Sequence, residues 1–402
     1  FFVYLSKVGK VPTSDSQFRF LEDRTKVSIT DRAFLAQAAF TAAAVGSTVE
    51  ATFDTSGGAS VDWLIPGMVV SIGEDDDSTS QPEWITVRVE SVSDSGSYTT
   101  ATVRTIAAAN TGALGVDNNT KCCVVGTAFE EGSGAPDVWS QKLDNDYGYT
   151  QIFKTAAEMT NTSRATVYRG YADEWQRIWN LKLREHKVDI ERAMLFGMRG
   201  SSNSINYTDG IAGHIIANSQ SQAVLDGSQV SYTEDKAYLK SNTAAQWTYD
   251  DLLSDFEVIY DPARGGGSSK LGLASLPVIS HFNKLGSGSF INGTISDPLQ
   301  YNFEKSNGAF GHKIMKIETI HGDLSMVKEP LFRGQSAGFL ALVDLDHVSY
   351  RPLVGNGINR DTSITTNVQQ ADEDLRKDLI LTEAGLEVTL PETHALIHLQ
   401  GV

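Results

Sequence analysis

A single long helical pattern, from about Ala172 to Gly197, constrains the fold of this chain more than any other stretch. Its apolar residues recur at spacings of three, four and seven, which places them on adjoining stripes of one helix. At 1.5 Å per residue such a helix is roughly 39 Å long. An apolar side of that length needs a broad covering surface, either a sheet of the same chain or a neighbouring copy. The residues predicted to form this structural spine are Trp175, Ile178, Trp179, Leu183, Ile190 and Met194.

Two tryptophans, Trp175 and Trp179, lie one turn apart on the helical stripe. They admit two interpretations: core residues that anchor the helix to its own sheet, or interface residues that meet a neighbouring subunit. The core interpretation is favoured because the apolar stripe continues far beyond them. The other face of the helix carries opposite charges at helical spacing, which is typical of a solvated face. These charge pairs are Asp173 with Arg177 and Asp189 with Arg192.

Short strand patterns fill the segment from Thr48 to Thr127. Apolar and polar residues alternate within each run, and Gly, Ser, Asp and Asn separate the runs, which is typical of strands joined by turns. Six or so strands in about 80 residues predict a small β-barrel or β-sandwich. The preceding stretch, Asp31 to Val45, fits either a short alanine-rich helix or an apolar strand.

The chain after the long helix alternates between loops, helices and strands. The polar stretch Ser201–Gln246 is typical of surface loops. Tyr249–Tyr260 has a helical pattern with Thr248 or Asp250 as its cap, and Leu276–Phe282 indicates a buried strand that leads into a helix. The predicted fold class of the whole chain is α+β, with one long helix against antiparallel sheets.

The charge balance argues against a protein whose task is to neutralise phosphates. The formal net charge is −17, and no dense run of Lys and Arg occurs. The most apolar window, Ala33–Val45, is shorter than the roughly 20 residues that a membrane helix needs, so no membrane association is expected. The two cysteines, Cys122 and Cys123, are adjacent in a strand-like run, which predicts buried free thiols and no mutual disulfide.

The residue pattern predicts no catalytic, cofactor-binding or metal-binding site. His394 and His398 have the i, i+4 spacing of a zinc pair, but they lack the intervening Glu and lie in a strand-like tail. The acidic run Glu74–Asp77 lacks the spaced oxygens of a calcium loop, and Gly286–Phe290 lacks the third glycine of a dinucleotide loop. No nucleophile, base and orienting group are brought together by any motif, so the chain is not expected to be an enzyme.

Five short motifs occur in a characteristic order along the chain. They are an acidic-glycine turn at Glu130–Pro136, a TQIF-type strand at Tyr149–Phe153, the helix end Asp189–Gly197, the turn Asp209–Gly213 and the closing run Glu383–Ala395. In this order they resemble the major capsid proteins of tailed bacteriophages, which have the Hong Kong 97-like fold. Within that family the chain is most similar to the group with a TQIF-type strand before the spine helix.

The resemblance implies a shell-forming structural protein organised in five segments. Residues 1–46 would form an N-terminal arm that crosses a neighbouring subunit, the alternative for its first part being a disordered leader. Residues 47–160 would form an extended loop with a β-rich insertion, and residues 161–210 the spine helix of a peripheral domain. Residues 211–370 would form mainly an axial domain, and residues 371–402 would add strands to the peripheral domain and complete the axial one.

The resemblance also implies partners and a location. Copies would associate into hexamers and pentamers that form an icosahedral head shell around double-stranded DNA, without sequence-specific binding. Scaffold, portal and cement or decoration proteins are further expected partners, whereas no cofactor and no membrane is expected. The chain would be made in the host bacterial cytoplasm and become part of the virion. Residues expected at the subunit interface are Phe18, Phe20, Arg24, Glu131, Tyr149, Gln151 and Phe153.

Two competing classes of protein remain open on the residues alone. A secreted β-rich adhesin or carbohydrate-binding protein is compatible with the strand patterns and polar loops, but the sequence lacks a signal-peptide pattern and the long helix has no role in such a protein. A hydrolase would need a recognisable group of catalytic side chains, which no motif supplies.

Overall fold

A computed structural model describes residues 9–23, 33–42, 44–55, 60–74, 83–108, 114–136, 138, 143–167, 173–219, 236–244, 246–261, 264, 266–292, 303–307 and 313–401. In chain order its strands are β1 Gln17–Glu22, β2 Ala33–Ala36, β3 Phe40–Ala42, β4 Thr48–Asp54, β5 Met68–Glu74, β6 Glu83–Asp94, β7 Thr99–Ala108, β8 Leu114–Val116, β9 Lys121–Thr127, β10 Asp144–Tyr149, β11 Gln151–Thr160, β12 Gly200–Ser202, β13 Ile205–Tyr207, β14 Tyr238–Thr243, β15 Ser269–Ala274, β16 Phe303–Asn307, β17 Lys313–Glu318, β18 Asp323–Lys328, β19 Phe339–Val343, β20 Val348–Pro352, β21 Val354–Gly355, β22 Ile358–Asn359, β23 Thr362–Thr365, β24 Leu375–Val388 and β25 Ala395–Gln400. Its α-helices are α1 Asn161–Ala165, α2 Glu174–Phe196, α3 Ile211–Ala217, α4 Tyr249–Ile259 and α5 Leu276–Asn292.

The chain divides into two compact units. The smaller unit is Asp23–Leu143, and the larger unit comprises Phe1–Glu22 together with Asp144–Val402. The smaller unit is thus an insertion between β1 and β10, two strands of the larger unit that pair antiparallel. These boundaries differ from the predicted segment 47–160, because β2 already belongs to the smaller unit whereas β10 and β11 belong to the larger one.

The smaller unit contains a closed six-stranded barrel with the strand order β2-β4-β7-β6-β5-β9. Alternate side chains fill its interior, where the ring of Phe34 meets those of Phe53 and Trp63 edge to face, with centroids 5.0 and 5.7 Å apart. Of the two predicted architectures, the barrel is therefore confirmed. The helical alternative for Asp31–Val45 is wrong, because Phe34 and Ala36 alternate into the barrel core from strand β2.

The two cysteines of β9 differ in exposure. Both are free, which confirms the prediction that they form no mutual disulfide. Cys122 is buried in the barrel core, and burial raises the pKa of its thiol to about 12. The expectation of a second buried thiol is wrong, because neighbouring side chains of a strand point to opposite faces and Cys123 is exposed.

The larger unit is built on two sheets. A seven-stranded sheet has the order β14-β25-β19-β15-β18-β17-β16, and two of its strand pairs, β14 with β25 and β15 with β18, are parallel. In the second sheet, β24 lies between β11 on one side and β20 and β23 on the other. The segment 211–370, expected to form mainly one domain, therefore contributes to both sheets, since β20 and β23 pair with β24.

The long helix α2 begins at Glu174 and ends at Phe196, within two residues of the predicted bounds at each end. Asp173 caps it, because its side chain accepts a hydrogen bond from the backbone N–H of Gln176 at 3.1 Å. In its C-terminal half, Ile190 and Met194 are buried against the second sheet. The prediction of one long helix against an antiparallel sheet is thus confirmed.

The N-terminal half of α2 carries an apolar surface that the described residues leave partly uncovered. Trp175, Ile178 and Trp179 are only partly buried; we call these three residues the uncovered stripe. Arg376 is the second residue of β24, and its guanidinium lies 4.9 Å from the centroid of the Trp175 ring. Trp175 thus lies over the end of the sheet, and neither it nor Trp179 is fully buried, as the core interpretation would require.

The apolar run Leu276–Phe282 is helical, so its prediction as a strand is wrong. The buried strand of this region is β15, which ends just before it. Ser275 precedes α5, and its Oγ accepts a hydrogen bond from the backbone N–H of Val278 at 3.4 Å. Pro277 fits the first helical turn, where the N–H that it lacks would have no intrahelical partner.

Of the two other regions for which a loop or a helix was predicted, one prediction is wrong and one is confirmed. The predicted surface loop Ser201–Gln246 contains α3, whose residues Ile211 and Ile215 are buried beside the end of α2. Helix α4 is confirmed, and Thr248 and Asp251 form a reciprocal capping box at its start. In the described ranges, no helix combines the length and the apolar character that crossing a membrane requires.

Candidate assembly surfaces

The first described residues lie on the subunit's own sheet. The backbone N–H of Val11 donates to the carbonyl of Tyr350 at 3.0 Å, and that of Thr13 donates to the carbonyl of Pro352 at 2.9 Å. Residues 9–13 therefore run beside β20, whose open edge supplies the backbone partners. This part of the expected arm does not cross to a neighbour, and residues 1–8 lie outside the described residues.

Phe18 is a packing residue of the subunit itself. A Cβ placed on Gly148 or Gly385 would lie 2.5 or 2.8 Å from its ring, so both glycines are needed for the ring to fit. Phe18 is 4% exposed, and Phe153, which faces α2 from β11, is 8% exposed. Their expected position at the subunit interface is wrong, because the subunit's own strands already cover both rings.

The other residues expected at the interface lie in several places. Phe20 and Tyr149 are half-buried on the antiparallel pair β1 and β10. Gln151 is also half-buried, and its side-chain oxygen accepts a backbone hydrogen bond 3.1 Å long. Glu131 is exposed in the smaller unit, and Arg24 lies outside the described residues.

A buried histidine connects α2 to three strands of the second sheet. His186 Nδ1 lies 2.9 Å from Thr155 Oγ1 on β11, and its Nε2 lies 2.9 Å from Thr382 Oγ1 on β24. Thr382 Oγ1 also lies 3.1 Å from Thr362 Oγ1 on β23. Burial lowers the pKa of His186, so the neutral ring is the form that holds this hydroxyl chain together. The sequence showed His186 only as one of several scattered histidines.

A second buried polar cluster joins β15, β19 and the start of β25. Lys270 Nζ donates to the carbonyl of Thr393 at 2.7 Å and lies 4.0 Å from Asp344 Oδ2. The backbone N–H of Asp344 donates to His394 Nδ1 at 3.2 Å. Burial lowers the pKa of Lys270 to about 8, although Asp344 opposes this shift. Burial also lowers the pKa of His394 well below its usual range, and the nearby Lys270 charge acts in the same direction.

Lowering the pH from 7 to 5 is expected to destabilise the chain through these two histidines. Their pKa values are lower in the folded than in the unfolded chain, so below about pH 6.5 the unfolded chain binds protons that the folded chain does not. The free energy of unfolding therefore has its full value above that pH. It decreases as the pH falls, by up to about 1.4 kcal/mol per pH unit for each histidine. Urea denaturation at pH 7, 6 and 5 measures the loss.

Histidine variants identify the source of this pH dependence. His186→Gln should flatten the slope, because it removes one of the two groups responsible. His321→Gln is the matched control, since His321 is half-buried in a turn and no hydrogen bond of the His186 chain involves it. The same slope in the wild type and in His186→Gln would contradict the assignment.

Three glycines allow α3 to pack directly on the end of α2. A Cβ on Gly213 would lie 1.9 Å from the carbonyl oxygen of Gly197, and one on Gly210 would lie 2.5 Å from the nitrogen of Gly197. The backbone N–H of Gly210 donates to the Gly197 carbonyl at 3.0 Å. The motifs that end α2 and begin α3 therefore have a physical explanation: their glycines let two backbones touch.

The functional features of this chain are surfaces. In the part of the chain that the structure describes, no group of three or more His, Cys, Asp or Glu side chains is placed to hold a metal ion. The buried titratable groups described above are used in bonds between secondary-structure elements. The uncovered stripe of α2 is a candidate surface for association with another chain.

The family of this structural protein follows from its sequence. The profile of the SU10 major capsid protein family matches residues 3–400, and the chain belongs to this family. It is a major capsid protein with an α+β structure, as the resemblance predicted. Its role is to form a homo-oligomeric capsid shell in the virion, and its family is not one of enzymes. No finding supports the adhesin alternative.

Solved structures similar to the chain include three from phages. A chain of Mycobacterium phage Patience is 16% identical over 69% of this chain and 78% of its own, with a TM-score of 0.40. A chain of the mature capsid of bacteriophage PhiM1 is 12% identical over 69% and 79%, with a TM-score of 0.44. A capsid chain of cyanophage A-1(L) is 12% identical over 68% and 84%, with a TM-score of 0.46. No curated protein matches the chain.

Proposed function

We propose that copies of this chain associate into hexamers and pentamers, which close an icosahedral head shell around double-stranded DNA. The observation that carries the proposal is the uncovered stripe of Trp175, Ile178 and Trp179 on one isolated copy. Two large aromatic rings left partly exposed beside an aliphatic residue form the kind of surface that is buried when proteins associate. A neighbouring copy is the occupant that a shell-forming role supplies.

The charge of the chain supports containment of DNA without sequence-specific binding. A net charge of −17 repels phosphate at long range, and affinity for DNA depends on clustered Lys and Arg. A shell of such chains would enclose DNA without holding it tightly. Synthesis in the host bacterial cytoplasm, and scaffold, portal and cement or decoration partners, belong to the same proposal.

The two sheets provide the proposed domain organisation. The second sheet and α2 form the peripheral domain, the seven-stranded sheet forms the axial domain, and the barrel takes the place of the extended loop. Within this organisation Phe20, Tyr149 and Glu131 remain proposed interface residues, because each is at least partly exposed on the described chain.

Negative-stain electron microscopy of the full chain, with sedimentation velocity at several concentrations, tests the proposal. Closed shells, or rings of five and six copies, are the expected result. Ile178→Asp should shift the chain towards monomers, because Ile178 belongs to the uncovered stripe and is only partly buried on one copy. A wild-type chain that stays monomeric at every concentration would contradict the proposal.

Deleting residues 1–8 is expected to leave a folded subunit that closes shells poorly. The deletion removes none of the described hydrogen bonds between residues 9–13 and β20, so the midpoint of thermal unfolding should stay unchanged. Deleting residues 1–22 is the comparison, because it also removes Phe18 and should lower that midpoint. Normal shells from the shorter deletion would show that residues 1–8 do not act as the crossing arm.

A further inference from the structure

One large apolar residue is strongly exposed at the tip of the β17–β18 hairpin. Ile320 is 88% exposed, in the turn Thr319–Gly322. The backbone N–H of Thr319 donates to the Gly322 carbonyl at 3.1 Å, and the Gly322 N–H donates to Thr319 Oγ1 at 3.2 Å. We call this segment the Ile320 turn.

The Ile320 turn is held in one conformation by the residue packed beneath it. A Cβ on Gly322 would lie 2.5 Å from the ring of Tyr260, so backbone and ring are in close contact. The hydroxyl of Tyr260 donates to the carbonyl of Asp323 at 2.9 Å. A fixed turn that exposes an apolar side chain to water does not stabilise the isolated subunit. It does reduce the conformational entropy that the turn would lose on binding a partner.

The same sheet carries an apolar pocket at its opposite end. The pocket has a volume of about 230 Å³, and its lining comprises Leu276, Pro277, Glu329, Pro330, Phe332, Arg333, Gly334 and Ala337. Phe332 is buried and is fixed by ring contacts with Phe196 and Phe339 at centroid distances of 5.7 and 6.1 Å. An apolar cavity of roughly 150 Å³ already admits benzene, so this Pro330 pocket has room for the four-carbon side chain of an isoleucine.

Strand direction places the turn and the pocket at different ends of one subunit. Strands β15 and β18 run parallel, with Ser269 beside Asp323 at their start and Ala274 beside Lys328 at their end. The Ile320 turn directly precedes β18, whereas the Pro330 pocket follows the ends of both strands. Five residue steps separate the two ends by about 17 Å. Two different patches on each copy are what a head-to-tail ring contact requires.

The charges beside the two patches are complementary. Glu318 and Asp323 flank the Ile320 turn, and Lys316 is the cation that pairs with both. At the pocket, Arg333 is exposed and the acidic lining residue Glu329 is buried, while Lys328, which precedes Glu329 in the chain, is exposed. Two copies are attracted when the acidic turn of one approaches the basic rim of the other. They repel each other when the two basic rims meet.

We propose that Ile320 of one copy enters the Pro330 pocket of the next copy around a capsomer ring. This contact rests on the proposed ring assembly and names the residues that form one of its interfaces. Each copy provides one turn and one pocket, so the contact repeats until the ring closes.

A pair of matched variants tests the role of Ile320. Ile320→Asp should weaken association on the order of thirtyfold, as expected for an apolar residue that fills a central pocket. Ile358→Asp is the control, because Ile358 is 61% exposed on strand β22 of the same unit. Both variants should unfold at the wild-type temperature. Equal loss of assembly in the two variants, or none in Ile320→Asp, would overturn the proposed contact.

Cross-linking tests the pairing itself and separates it from the proposed function. The full chain is prepared with Cys123→Ser, Ile320→Cys and Leu276→Cys and is treated with a short bis-maleimide, and Ile358→Cys replaces Leu276→Cys in the control. We expect a covalent ladder up to five and six copies that the control lacks. Rings or shells without that ladder would overturn the contact and leave the proposed assembly intact. Absence of any ring or shell from the wild type would contradict both.

Discussion

Adding one methyl group at Gly213 is expected to destabilise the subunit by about 3 kcal/mol, the upper part of the usual range for an overpacked core. The new Cβ would lie 1.9 Å from the carbonyl oxygen of Gly197, and backbone on both sides prevents a simple adjustment. To relieve the overlap, α3 must move away from the end of α2. That movement would separate Ile211 from the core beneath the spine helix.

A matched alanine variant isolates the steric effect from the general effect of replacing glycine. Gly200→Ala is suitable, because its Cβ would meet only the Tyr207 ring, at 4.0 Å. Guanidinium denaturation followed by circular dichroism should show a lower midpoint for Gly213→Ala and an almost unchanged one for Gly200→Ala. If Gly213→Ala were as stable as the wild type, the proposed close approach of the two backbones would be wrong.

Removing the whole smaller unit is expected to leave a folded, cooperatively unfolding protein. Glu22 and Asp144 are the last partners in the ladder between β1 and β10, so a two-residue Asn-Gly turn can replace residues 23–143 and close a hairpin there. The barrel has its own core, which includes Phe34, Phe53 and Trp63. Its core residues form a cluster of their own, separate from the two apolar clusters of the larger unit.

A smaller excision, of residues 47–126, is expected to be more damaging than the larger one. It would remove the partners β4 and β9 while leaving β2 behind, so Phe34 would lose the barrel core that covers it. Burial of an aromatic side chain of this size contributes about 2 kcal/mol or more, and its exposure on an unpaired strand favours aggregation. Soluble yield and the cooperativity of thermal unfolding compare the two products. Equal behaviour would show that β2 is not an integral strand of the barrel.

The helix and barrel were predictable from sequence because their patterns are long and local. The stripe from Trp175 to Met194 covers more than five helical turns, and only a helix places all its members on one side. The degree of burial was not predictable, since it depends on where β11 and β24 end beneath the helix. A partner copy can cover the uncovered stripe, and the residue pattern of a single chain does not predict contacts with another copy.

The errors concern short apolar runs and contacts between distant segments. Leu276–Phe282 is apolar enough for a strand, and only the capping by Ser275 and the early Pro277 favour a helix. The cluster of Lys270 with His394 joins residues far apart in sequence, so neither residue has a local signal. The motif resemblance found the family, but it could not show that Phe18 is covered by its own subunit.

The positions of β24 and β25 have a consequence for how the protein is made on the ribosome. Each is a central strand: β24 lies between β11 and the pair β20 and β23, and β25 lies between β14 and β19. Both strands come after all their partner strands in the sequence. The ribosome therefore synthesises the central strand of each sheet after the strands that pair with it. A nascent chain stalled before Leu375 has neither sheet complete and cannot present the finished surface to another copy. We therefore expect chains that end before Leu375 to be excluded from a growing shell.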